Sequence, residues 1–131
     1  MTHDNPVSIK GVVALGRKVV LLRNDRDEWE LPGGRPEPGE SEHATLIREI
    51  REETGLDVDV VERLDAWAYE VLPGRIVDIV AWGCVAAIGV APKPSGEHCE
   101  VRLFATRDLA PLRLHDGYRR VIERWMKART G

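Results

Sequence analysis

LPGGRPEPGESEHATLIREIREETGL, from Leu31 to Leu56, is the stretch from which the rest of the chain can be read. It opens on paired glycines, Gly33 and Gly34, set among prolines, and closes on Arg48-Glu49-Ile50-Arg51-Glu52-Glu53. Glycine lets a backbone come close to a ligand and proline removes flexibility, so Pro32 to Gly39 reads as a rigid loop. Ser41 has the chemistry of a helix N-cap and Gly55 that of a C-terminal stop. Together they predict a helix from Glu42 to about Thr54.

At roughly 100° per residue, Ile47, Ile50, Thr54 and His43 are expected on one face of that helix, with Ala44 at its edge. Glu49, Glu52 and Glu53 fall on the opposite face at i, i+3, i+4 spacing. Like charges so placed destabilise a bare helix by about 0.2–0.5 kcal/mol per pair. Solvent and the flanking Arg48 and Arg51 would offset this on a purely exposed face. A hard divalent cation would also offset it, because Mg²⁺ takes oxygen ligands and is held by carboxylates together with substrate phosphates. The loop favours the cation. Glycines beside the carboxylates let a backbone carbonyl, that of Gly33, turn in as a further oxygen ligand, and a solvated face needs no rigid entry.

Outward from this segment, Pro6 to Leu15 and Lys18 to Arg23 read as a hairpin turning at Gly16-Arg17. Asn24 to Asp27 is a polar turn and Trp29 to Leu31 a short strand. After the helix, Leu56 to Leu72 reads as a strand with a bend or bulge, and Pro73-Gly74 as a turn. Ile76 to Val90 reads as a long strand, Ala91 to Gly96 as a loop, and Val101 to Ala105 as a shorter strand. Tyr118, Val121, Ile122 and Trp125 repeat at i, i+3, i+4, i+7, which predicts an amphipathic helix from about Gly117 to Ala128. Strands around two helices place the chain in the α/β (α+β) class, as a three-layer α/β/α domain on a mixed sheet.

The 131 residues suffice for one domain, spanning 1–131. A net charge of −3 gives no global attraction to nucleic acid or to an anionic membrane. Cys84 and Cys99 lack paired-ligand spacing and read as ordinary thiols. The N-terminus has no basic segment followed by an apolar one. The most apolar run, Ile79 to Ala91, is too short for a bilayer and reads as a buried strand. A cytoplasmic location and no membrane partner are the resulting expectations.

Gly34, five residues, Glu40, seven residues, then REIREETGL from Arg48 to Leu56 resembles the signature of the Nudix hydrolase family, with every specified position met. The resemblance implies an α/β/α sandwich around a mixed sheet. It also implies hydrolysis of a phosphoanhydride in a nucleoside diphosphate linked to another group, with Mg²⁺ or Mn²⁺ as cofactor. Glu49, Glu52 and Glu53 match metal ligands, with the carbonyl of Gly33 an addition. Arg48 matches an arginine that orients the glutamates, Gly34 and Gly55 match structural glycines, and Glu40 matches a loop-stabilising acid. The general base is expected at Glu49 or Glu52. Glu100, ahead of a strand, is the distal candidate, and Glu97 lies nearby. Leu103 departs from the tryptophan that relatives often carry at its position.

Other segments carry substrate recognition. Arg23, as a phosphate contact, and Trp29, as a stacking surface, bracket the turn into the box and are the substrate-binding candidates. Trp67 and Trp82 read as core, and His98 and His115 as non-ligands. Arg119, Arg120, Arg124, Lys127 and Arg129 read as a solvated basic face. A nucleotide substrate is expected, nucleic acid is not, and the resemblance carries a homodimer. The favoured function is a house-cleaning (deoxy)nucleoside triphosphate pyrophosphohydrolase. ADP-ribose or another nucleoside diphosphate sugar is the alternative substrate, and a regulatory ligand-binding module of the same fold the non-enzymatic one.

Overall fold

The computed structural model describes residues 5–93 and 100–130. Seven strands and two α-helices follow in the order β1 (Val7–Leu15), β2 (Lys18–Arg23), β3 (Trp29–Glu30), β4 (Gly33–Gly34), α1 (Glu42–Thr54), β5 (Val58–Leu72), β6 (Arg75–Ala86), β7 (Glu100–Ala105) and α2 (Asp116–Thr130). The sheet is mixed: β1 runs parallel to β6, and the other ladders are antiparallel.

Alternation along the central strands assigns the two faces. Val12, Ala14, Val19 and Leu21 pack with Val121, Ile122 and Trp125 of α2. Ile9, Val13 and Val20 pack with Leu46 and Ile50 of α1. One helix therefore covers each face, as the three-layer reading expects. Burying each such side chain contributes about 1.5–3 kcal/mol.

The geometry that positions the site lies between β1 and β2. These strands pair only next to their turn, at Ala14 with Val19 and Leu15 with Lys18. Beyond that they splay. β1 then takes β4, with Lys10 opposite Gly33, and β2 takes β3, with Arg23 opposite Trp29. The Gly/Pro loop fills the wedge, where the N–H of Gly11 donates to the carbonyl of Pro32 at 2.9 Å. The loop is thus a short edge of the sheet as well as the approach to α1.

Three local expectations change, and one is met. On α1 the inward residues are Thr45, Leu46, Ile50 and Thr54, whereas Ile47 is 37% exposed and His43 sits at the rim, edge-on to Trp82 at 4.7 Å. The entry sets this rotation: Thr45 Oγ1 donates to Glu40 and to the carbonyl of Ser41, which draws Thr45 inward. The long strand ends at Ala86, short of Val90, because its partners run out there. Ala14 pairs with Val85 and Val58 with Ala86, and Ile88 beyond them is 80% exposed. The bend or bulge expected after the helix is present, as register shifts along β5. The arginines of α2 do more than face solvent. Arg119 donates to the carbonyls of Leu109 and Leu112 at 2.8 and 2.6 Å, and Arg124 to that of Leu64 at 2.6 Å. These bonds tie α2 to its neighbours.

Cys84 is a buried free thiol, and burial pushes it up to about 12. Glu97, His98 and Cys99 lie outside the described residues. Among the described residues, no helix is long and apolar enough to cross a membrane.

Candidate active site

Helix α1 begins as its sequence predicts. Ser41 accepts from the N–H of Ala44, and Gly55 closes the other end by donating to the carbonyl of Arg51. From this helix Arg48 reaches back to the loop. Its Nε and Nη2 donate to the two carboxylate oxygens of Glu40 at 2.7 and 2.8 Å, and Nη2 also reaches the carbonyl of Arg35 at 3.2 Å. Its Nη1 donates to Glu49 at 2.7 Å. A bidentate arginine–carboxylate pair of this kind is directional as well as strong. Glu40 also accepts from the N–H of Glu37 and from Thr45. The Arg48 guanidinium, followed by these bonds, holds the Glu40 carboxyl down to about 2.

The paired glycines are required by close approach. A Cβ on Gly33, where φ is 146°, would lie 2.0 Å from the carbonyl oxygen of Ile9. A Cβ on Gly34 would lie 2.6 Å from the Glu49 carboxylate. The N–H of Gly33 donates to Glu53 at 2.8 Å. Burial is the main cause that raises the Glu53 carboxyl, to about 7, against the lowering effects of that N–H and of Lys10. Glu52 stands apart, 60% exposed, with Oε1 3.7 Å from Arg48 Nη1.

Beside the loop opens a cleft of about 410 Å³, on whose wall Lys10, Glu30, Arg35, Tyr69, His115 and Tyr118 stand. Lys10 donates to the carbonyl of Leu31 at 3.2 Å. Burial works against its ammonium, but the neighbouring Tyr118, Glu30, Glu53 and Glu49 outweigh burial and hold Lys10 above its usual range. Lys10 thus links the cleft to the carboxylates of α1.

The family model for the NUDIX domain matches residues 5–125. The chain belongs to the NUDIX family.

Among its Nudix relatives, a CTP pyrophosphohydrolase of Escherichia coli (strain K12) is 44% identical over 54 residues, which is 41% of this chain and 39% of that protein. A putative 8-oxo-dGTP diphosphatase 3 of Mycobacterium tuberculosis (strain ATCC 25618 / H37Rv) is 32% identical over 109 residues, 78% of this chain and 47% of that protein. In both, the match spans less than half of the relative's own length. A crystal structure of a NUDIX-family hydrolase from Clostridium perfringens superposes with a TM-score of 0.83 at 15% identity, over 96% of this chain and 99% of that one. The MutT protein of Methanosarcina mazei Go1 gives 0.79 at 22%, over 99% and 100%. At these identities the superpositions show a shared fold.

Within this Nudix fold, the residues singled out in the sequence separate into two groups. Gly33, Arg48, Glu49 and Glu53 meet at the loop–helix junction. Glu100 does not join them: Arg23 Nε lies 3.3 Å from its carboxylate, and Arg102 pairs with its other oxygen. Arg23 is further engaged by Asp27 at 3.0 Å. Trp29 is 9% exposed and meets Phe104 edge-on at 4.9 Å, so most of its ring is core and only its margin reaches the cleft. The Gly33 group that faces Glu53 is its N–H rather than its carbonyl. Lys10, Tyr69 and His115 are absent from the sequence-based set. For Lys10 there was a signal: one cation inside the apolar run VSIKGVVAL.

Nudix hydrolases generally use divalent metal ions. The donors here fit such an ion, since they are hard oxygens and the half-buried Glu53 carboxylate is disfavoured as a bare anion. Among the described residues, no three His, Cys, Asp or Glu side chains converge on one point. Each carboxylate instead has its own surroundings: Glu49 is held by Arg48, Glu53 by the N–H of Gly33, and Glu52 is exposed.

Proposed function

We propose that this chain is a divalent-metal-dependent nucleoside triphosphate pyrophosphohydrolase. It would cleave the α–β phosphoanhydride to give a nucleoside monophosphate and pyrophosphate. One observation carries this reading. Arg48 locks the loop to Glu49 beside a glycine that leaves no room for a side chain, and a cleft lined by cations opens next to it. The relatives, a CTP pyrophosphohydrolase and putative 8-oxo-dGTP diphosphatases, support the substrate class.

Glu49, Glu52 and Glu53, with the carbonyl of Gly33, would hold Mg²⁺ or Mn²⁺. Held there, such an ion would neutralise diphosphate charge and make a water more acidic. The protein's own groups do the rest. Arg48 positions Glu49 by a 2.7 Å bond and keeps the loop from moving away. Lys10 and Arg35 place positive charge on the cleft wall where phosphate oxygens would lie. The Glu52 carboxylate, the most exposed of the three, is best placed to accept the proton of the attacking water. The water oxygen forms a bond to phosphorus as the bridging P–O bond breaks, and the pair of electrons leaves with pyrophosphate. A regulatory module would need none of these groups intact.

The test is a screen by product mass. Ribo- and deoxynucleoside triphosphates, ADP-ribose and nucleoside diphosphate sugars are incubated with the chain, with Mg²⁺ and with chelator. Monophosphate plus pyrophosphate, formed from triphosphates only with metal, is the expected result. Cleavage of ADP-ribose alone would move the substrate class to the sugar nucleotides, and no cleavage of any of them would overturn the enzyme reading.

A further inference from the structure

Helix α1 covers only part of its face of the sheet. Its core partners lie on β1, on β2 and at the ends of β5 and β6 remote from their turn, at Val13, Val20, Val58, Cys84 and Ala86. Nearer the β5–β6 turn the same face is uncovered. The register sets Ala66 opposite Val80, Ala68 opposite Asp78 and Glu70 opposite Ile76, while Val7 of β1 lies beside Asp78. A sheet face that meets water normally turns polar side chains outward. Here the outward positions include Ala66 and Ala68, both exposed, with Val7 at 38% and Ile76 at 40%. These residues border a trough of about 440 Å³ that Val80 helps to floor and that Glu42 and Asp78 flank. Asp78 already has a partner, the Asn5 amide at 3.2 Å.

We infer that this face is the interface of a homodimer, in which a second copy of the chain packs sheet against sheet across a two-fold axis running along the strands. Such a dimer is independent of the hydrolytic reading above. Stacked sheets lie about 10 Å apart and a helix is about 10 Å across, so a second sheet fits level with α1 and completes the layer that the helix leaves unfinished. Strand β5 is the edge of the sheet. An axis along the strands therefore sets each copy's α1 beside the partner's β5 edge, and brings together residues at one level of the ladder.

At the level of Ala66 and Val80 the small side chain allows close approach. Charge matches one step further along. Arg63 is opposite Trp82 in the ladder, and Glu42 accepts from the Trp82 indole at 2.8 Å. Arg63 would thus face the partner's Trp82 and the partner's Glu42, a cation against a ring and a carboxylate. Within one copy Arg63 is loosely held, half exposed with Nε 3.8 Å from Glu42. Glu70, level with Ile76, lies past the start of β1 and keeps its access to water. The cleft opens on the other face of the sheet, at Tyr69 and Tyr118, so the dimer leaves it free.

Analytical ultracentrifugation over a concentration series tests the interface, and the parent chain should be a dimer. Ala68→Glu places a carboxylate in the dry centre and should raise the dimer dissociation constant by about 100-fold. Arg63→Ala removes only a half-exposed cation and should raise it by about tenfold. Ile88→Glu replaces a more exposed apolar side chain, packed near Gly16 at the other end of the strands, and should leave the dimer intact. Circular dichroism checks that each variant is folded, and if Ala68→Glu is not, Arg63→Ala decides. A parent chain that is monomeric at about 100 μM, well above the micromolar affinity of weak interfaces of ordinary size, overturns the interface. A dimer unmoved by the deciding variant, or lost in Ile88→Glu, overturns it too. Sedimentation does not use turnover, so the result stands whether or not hydrolysis is found.

Discussion

Arg48 grips Glu40 with two nitrogens, at 2.7 and 2.8 Å, across the whole entry of the carboxylate helix. The same guanidinium reaches Glu49, so one side chain sets both the loop and a carboxylate of the site. A lysine in its place is a single point charge and cannot make the fork. Arg48→Lys should therefore lower metal affinity or turnover by roughly 10–100-fold, as loss of a group that orients ligands does. Mn²⁺ titration calorimetry beside kcat checks this. Unchanged values for both would remove the positioning role.

Glu52 has the least structural engagement of the three box glutamates, at 60% exposure. Glu52→Gln should leave thermal stability nearly unchanged while turnover falls by about 10²–10⁴-fold, the range for a general base. Near-full activity in this variant would show that the helix does not carry the chemistry.

Glu53 should behave in the opposite way. Its carboxylate is buried enough to be raised to about 7, while the bond it accepts from Gly33 could equally be accepted by an amide oxygen. Glu53→Gln should keep or raise the melting temperature of the metal-free protein, because the desolvated charge is gone. Added Mn²⁺ should then raise the melting temperature less than in the parent chain. Equal metal-induced shifts in both would place Glu53 outside the metal set.

Acid should act through Glu40. Its carboxyl is held at about 2, against an ordinary 4.5, so the unfolded chain takes up its proton first as pH falls. The stability from this group is fully present above pH 4.5 and is lost progressively toward pH 2. Denaturant midpoints of the parent and of Glu40→Gln should differ at pH 7 and converge at the acid end. Parallel curves down to pH 2 would contradict the assignment.

Ile122 is fully buried between α2 and the sheet. Ile122→Ala should destabilise the chain by about 2–5 kcal/mol, through lost transfer energy and a cavity. Urea unfolding measures it. With the carboxylate helix on the other face of the sheet, kcat of the folded fraction should change little.

Local spacing was enough to read α1, its caps and the identity of the carboxylate cluster, because capping and i, i+3, i+4 proximity involve neighbours in the chain. The second helix was legible for the same reason, from Tyr118, Val121, Ile122 and Trp125. Its basic face is mostly exposed, as the spacing predicts, but the bonds from Arg119 and Arg124 to the carbonyls of Leu64, Leu109 and Leu112 depend on how the chain returns.

By itself, then, the sequence determined the class of fold and which segment carries the acidic cluster, since both follow from periodicity and short-range spacing. Only the tertiary structure decided what stands beside that segment. The splay of β1 from β2 brings Lys10 opposite Gly33, and the fold sets Trp67 against His115, 48 positions away in the chain. Contacts across such separations depend on strand register and on the rotation of packed helices, and neither leaves a periodic trace in the residues that make them.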